Sequence, residues 1–85
     1  MEDEREVGKV THFYDKLSVG VVELKGSLKV GDKVHIQGSN DDFEQSVESM
    51  QLEHKDVKGG KKGDLVAVKV DSPVHKNDKV SVVGK

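Results

Sequence analysis

The chain of 85 residues has no cysteine, no tryptophan and a single proline, and its aromatic side chains are one tyrosine and two phenylalanines. Without cysteine there is neither a disulfide framework nor a thiolate zinc site. No apolar run approaches the roughly 20 residues of a membrane-spanning helix. The start, Met1-Glu2-Asp3-Glu4-Arg5-Glu6, is acidic and unlike a secretory signal. A strong charge of one sign is also missing: 14 basic residues stand against 16 acidic ones, for a net charge of −2. Four acids and one base within Glu2–Glu6 leave the remainder near +1. That is well short of the basic excess of an autonomous nucleic-acid-binding domain. The expectation is one small cytoplasmic domain of residues 7–85, without a membrane segment, behind a disordered acidic tail of residues 1–6.

What the chain does have is a repeated device. Gly31-Asp32 precedes Lys33-Val34-His35-Ile36-Gln37, Gly63-Asp64 precedes Leu65-Val66-Ala67-Val68-Lys69-Val70, and Asn77-Asp78 precedes Lys79-Val80-Ser81-Val82-Val83. Glycine meets no Cβ clash at positive φ, and Asn and Asp can bond their own local backbone. Each pair therefore predicts a tight turn feeding a valine-rich strand.

Further strands are expected over residues 7–14, 19–24 and 43–52. In the second, Val22 and Leu24 share one face while Val19 and Val21 share the other, the pattern of a strand covered on both sides. In the third, Phe43 and Val47 are out of phase with Met50 and Leu52, which predicts a β-bulge near Glu48-Ser49. Gly38 to Asp42 reads as a turn, 53–62 as a polar loop anchored by Val57, and Pro73 suits a connection. No apolar period of 3.6 residues reaches helical length. About six short strands between turn formers predict an all-β fold, with a closed barrel favoured over an open sheet because closure removes exposed edges.

The order Gly26-Ser27-Leu28-Lys29-Val30-Gly31-Asp32-Lys33-Val34, then Ser49-Met50-Gln51, then Gly63-Asp64, then Asn77-Asp78-Lys79-Val80, resembles the second domain of the translational GTPases, the barrel of elongation factor Tu and initiation factor two. The resemblance spans roughly residues 7–83 and implies a six-stranded Greek-key barrel. Similar barrels accompany collagenase-like peptidases. Val21-Val22 stands where the factors commonly carry Gly-Arg before this turn.

No catalytic, cofactor-binding or metal-binding residue is expected. Gly59-Gly60-Lys61-Lys62-Gly63-Asp64 lacks the spacing, the hydroxyl and the following helix of a phosphate loop, so GTP binding is not expected. His12, His35, His54 and His75 are scattered singly, without metal-ligand spacing. His12, Tyr14 and Asp15 could form an acid–base set, but nothing in the sequence fixes their geometry. The one basic cluster, Lys55, Lys58, Lys61 and Lys62, is the candidate RNA contact, acting through phosphates rather than bases. The leading expectation is a non-catalytic binding module contacting RNA, the ribosome or a translation-associated protein. The alternative is a protein-interaction or regulatory subunit of a separately encoded enzyme, such as a collagenase-like peptidase.

Overall fold

The structure is a computed structural model that describes residues 4–39 and 41–83. Residues 1–3 of the acidic tail, Asn40 of the turn-forming cluster and residues 84–85 of the expected domain lie outside the described residues. In chain order the strands are β1 Glu4–Tyr14, β2 Val19–Leu24, β3 Leu28–Lys29, β4 Lys33–Gln37, β5 Asp42–Ser46, β6 Met50–Leu52, β7 Lys55–Asp56, β8 Gly59–Gly60, β9 Leu65–Lys69 and β10 Lys79–Val83. There is no helix among the described residues.

All pairings are antiparallel. Eight strands form one sheet in the order β5-β4-β10-β1-β2-β9-β6-β7, and β3 with β8 forms a separate ribbon. The fold is therefore all-β, as expected, while a closed six-stranded backbone ladder is not found among the described residues. β5 and β6 are only three residues apart in the chain yet lie towards opposite ends of the sheet. A side chain spans the gap between β5 and β9: Gln45 Nε2 donates to Lys69 O at 2.8 Å, and Asp71 N donates to Gln45 Oε1 at 2.8 Å.

Three boundaries differ from expectation. β1 begins at Glu4, because Glu4, Arg5 and Glu6 pair with Val83, Val82 and Ser81 while their charged side chains stay exposed. A polar stretch can join a sheet edge when its backbone has a partner and its side chains keep their water. The stretch 43–52 is two strands rather than one bulged strand. At Val47–Ser49 it leaves β4 for β9, with Val47 N bonding Asp32 O and Val47 O accepting from Gly31 N, each at 2.8 Å. That change of partner is what the broken parity records, and the register shifts lie in β1 instead, at Glu6/Gly8 and Val10/His12. The polar loop 53–62 contains β7 and β8. Glu53 and His54, at φ 52° and 66°, make the two-residue connection from β6 to β7, since a hairpin of the I′ kind needs positive φ at both central residues.

The core is mostly valine. Eleven of its fifteen buried apolar residues are valines, with Leu24, Leu28, Ile36 and Met50, and Phe13, Phe43 and Val57 pack at its margin. β-branched side chains are stiff and fit a pleated surface, so the core is uniform in depth and needs no aromatic wedge. Its central void, lined by residues such as Val10, Val22, Val34 and Val68, is about 10 Å³. That leaves no internal room for a ligand.

Candidate functional site

The three turns share one geometry. In each, the amide of an Asp donates to the carbonyl three residues back, and the Asp carboxylate accepts from that same residue's amide. The pairs are Asp32–Lys29, at 3.1 and 3.0 Å, Asp64–Lys61, at 3.0 and 3.0 Å, and Asp78–His75, at 3.1 and 2.8 Å. The residue before each Asp has positive φ: Gly31 at 100°, Gly63 at 93° and Asn77 at 76°. Positive φ at the third position is the mark of a type II turn. The Lys-Val-Gly-Asp signature is thus a turn closed by its own aspartate.

The third turn is engaged with another loop through its side chains. Asp78 is buried, and the hairpin joining β4 to β5 lies over it: a Cβ on Gly38 would overlap Asp78 Oδ1. Asp41, on that hairpin, bonds His75 Nδ1 through Oδ2 at 2.7 Å. A bond with Asp78 and the neighbouring His75 hold the Asp41 carboxyl below its ordinary range. Burial, and then the bond with Asp41, push Asp78 up. Asp41 raises His75 in turn. A second histidine, His35 on β4, faces Glu4 through Nδ1, at 2.9 and 3.0 Å, and Asp42 through Nε2. The bond to Asp42, followed by that to Glu4, raises His35. Two ring nitrogens both facing carboxylates suit the doubly protonated imidazolium.

Asp41, His75 and Asp78, and likewise Glu4, His35 and Glu44, place possible ligand atoms within 4.8 Å of one another. In both groups the histidine is already bonded to a carboxylate, so each group is self-contained as it stands. The sequence hid both groups because each is completed by a carboxylate 31 or 34 residues from its histidine. His12 and Tyr14 lie with ring centroids 4.7 Å apart and ring planes tilted by 50°.

Three of the four lysines have acidic neighbours in their strand or groove. Lys55 lies in β7, Lys58 lines a groove with Glu48 and Asp56, and Lys61 lines another with Asp64. Gly59-Gly60 is not a flexible approach to phosphate. It pairs with Leu28-Lys29, and a Cβ on Gly60 would stand 2.7 Å from Leu24 Cδ1 and 3.0 Å from Val66 Cγ1. These glycines let the β3–β8 ribbon close over the core.

On the outer side of β2 and β9 the apolar residues Val19, Val21, Ala67 and Leu65 lie together. Val21 is paired with His12 and Ala67, and Ala67 with Gln51. Tyr14, Leu17, Val19, Ala67, Gln51 and His54 line one groove there. The sequence carried a trace of this surface in the two apolar faces of β2, but not its extension to Leu17 and Leu65.

No protein-family model matches the chain. It is 45% identical over 76 residues to an uncharacterized protease of Methanocaldococcus jannaschii; the match covers 88% of this chain and 19% of the relative, so the chain spans about a fifth of that protein's length. Crystal structures of the C-terminal domain of a Geobacillus thermoleovorans protein assigned to the U32 peptidases superpose with a TM-score of 0.86. One is a selenomethionine variant at 19% identity, covering 89% of this chain and 96% of that one. The other is at 18% identity, covering 92% and 91%. At that identity the superpositions establish the fold.

These findings correct the expected kinship with the translational GTPases and the RNA-binding reading drawn from it, which leaves the contact expected at Lys55, Lys58, Lys61 and Lys62 and the ribosomal partner without that support. The misleading signal has a physical source. The Lys-Val-Gly-Asp run reports a way of turning a chain into a strand, which this molecule uses three times over, and a turn device does not carry function with it.

Proposed function

We propose that the chain is a non-catalytic module of a U32-type peptidase, acting by association with that enzyme's body, whether joined to it or as a separate subunit. The observation that carries this reading is the match of most of the chain to one segment of a protease. The superposition on the C-terminal domain of a U32 peptidase supports it independently. The site chemistry is in keeping: His35 and His75 are held by carboxylates rather than aimed at a hydroxyl nucleophile. The experiment is capture of partners from the native extract with this chain as bait, with and without ribonuclease. A U32-type peptidase recovered in both arms is the expected result. Ribosomes recovered only without ribonuclease would overturn it.

The same reading takes the fold as a closed Greek-key barrel, in which residues 42–52 serve both ends of the sheet. The Gln45 amide supports this, because it supplies one donor and one acceptor where the backbone ladder is interrupted. Gln45→Leu would leave Lys69 C=O and Asp71 N–H without those partners and should cost about 1–3 kcal/mol in urea denaturation. A variant as stable as the parent would mean that this link does not close the sheet.

A further inference from the structure

The main sheet has two unlike outer faces. Across β4, β5 and β10 the outward positions are polar, among them Lys33, His35, Glu44, Ser46 and Lys79. Across β2 and β9 the outward positions are Val19, Val21 and Glu23 and Leu65, Ala67 and Lys69, four of the six apolar, extended by Tyr14 and Leu17. Tyr14, Leu17 and Leu65 are 46%, 67% and 53% exposed. Val19 and Val21 are only half-buried, although their strand has the two-faced apolar pattern of one covered on both sides. The valine core covers one face of β2, and the other still borders solvent.

We propose that this outer face of β2 and β9 is the surface that docks on the peptidase body; the proposal rests on the functional reading above and specifies its contact. Two observations select this occupant. About four-fifths of the Methanocaldococcus jannaschii relative lies outside the matched segment, and the superposing crystal structures are the C-terminal domain of a longer chain. A module of this kind therefore occurs in one polypeptide with a much larger body. The chemistry of the face agrees. Its apolar centre includes an exposed tyrosine, a residue type enriched among binding hot spots. The central pair Val21–Ala67 is flanked in register by Val19 opposite Lys69 and by Leu65 opposite Glu23, so an apolar centre is bordered by one charge of each sign, as in a protein interface. A nucleic acid would call for one sign of charge, and a bilayer surface for a basic rim.

The test is hydroxyl-radical footprinting of two proteins: this chain alone, and the Methanocaldococcus jannaschii protease with its matched segment replaced by this chain. Tyr14, Leu17 and Leu65 should react readily in the chain alone and several-fold more slowly in the chimera, with His75 unchanged. Val21→Asp combined with Leu65→Glu should restore the reactivity of Tyr14 and Leu17 in the chimera, while circular dichroism of the variant chain stays that of the parent. Protection confined to the polar face, around His35, would overturn the docking face and leave the functional reading standing. Equal reactivity of every side chain in both proteins would mean that the module does not pack on the body, and would overturn both. Protection of Tyr14 and Leu65 already present in the chain alone, and rising with its concentration, would assign the face to a second copy and overturn the proposal.

Discussion

The turns at 29–32 and 75–78 make the same pair of bonds and differ in their surroundings. Asp32 is half-buried, and a Cβ on Gly31 would meet nothing within 4 Å. Asp78 is 3% exposed and covered by the hairpin that carries Gly38 and Asp41. Asp78 also anchors β1 through its backbone, since Val10 N donates to Asp78 O at 2.8 Å and Asn77 N donates to Val10 O at 2.7 Å. Both turns tie the backbone of a distant segment, Val47 at the first and Val10 at the third, and the third alone also has a hairpin lying over its aspartate. The turn chemistry is local and can be read from four residues; the stake each turn has in the fold is set by what packs on it.

Alanine at the two aspartates is the largest test of that difference. Asp78→Ala would leave the His75 amide without its acceptor and Asp41 without its bond to Asp78, and should cost about 2–3 kcal/mol. Asp32→Ala, where water can replace the carboxylate, should cost about 0.5–1 kcal/mol. Asp78→Asn should fall between, because the amide oxygen can still accept from His75 N while the buried charge is gone. Urea denaturation of the three variants measures the order. Equal costs at positions 32 and 78 would erase the distinction between the turns.

The glycines around the turns sharpen it further, because they are needed for different reasons. Gly38 has ordinary φ and is small because Asp78 lies against it, so Gly38→Ala must displace a buried carboxylate and should cost about 1–3 kcal/mol. Gly31 has open space and a φ of 100°, so Gly31→Val meets only backbone strain and should cost about 1–2 kcal/mol. Combining Asp78→Ala with each glycine change separates the causes. It should relieve most of the Gly38→Ala penalty, by removing the atom the new methyl meets, and none of the Gly31→Val penalty. A Gly38→Ala penalty that persists in the Asp78→Ala background would point to the backbone of that hairpin instead.

The division between legible and hidden features follows the same line. β2 at 19–24 and β4 at 33–37 have the bounds that their alternation indicated, because period-2 patterning and flanking turn formers are local signals. Residues 4–6 carried no apolar pattern; they extend β1 because β10 offers them a backbone partner. Glu53 and His54 hold a hairpin connection without the Asn-Gly signal that marks most such turns. Gln45 looks like any outward polar residue, yet it is 6% exposed and bonded to a segment 24 to 26 positions away. The carboxylate–histidine groups were hidden for the same reason, since no local pattern marks a contact made across the fold. The outer face of β2 was half-visible: its apolar phase could be read, but whether this chain covers it could not.

The smallest expected effect is a dependence of stability on pH that the third turn has and the first lacks. The third turn begins with His75 where the first begins with Lys29. The bond with Asp41 raises the pKa of His75 above its ordinary 6.5. A group that binds its proton more tightly when folded stabilises the fold in full below its unfolded pKa, and that contribution is lost as pH rises through the folded pKa. His35, raised by Asp42 and Glu4, acts in the same direction on the polar face. Asp41, held below 3.8, contributes in the opposite window: its stabilisation is present above 3.8 and lost as pH falls through the folded pKa, with the raised Asp78 opposing it there. The melting temperature should therefore decline gently as pH rises from about 6 to 8, by a small amount because the His75 ring is itself largely in contact with water. His75→Gln should reduce that decline, His35→Gln should reduce it separately, and the double variant should remove most of it. Lys29→Gln in the first turn should leave the slope of melting temperature against pH as it was. A double variant that kept the parent's slope would place the pH dependence outside both carboxylate–histidine groups, and the third turn would then differ from the first in burial alone.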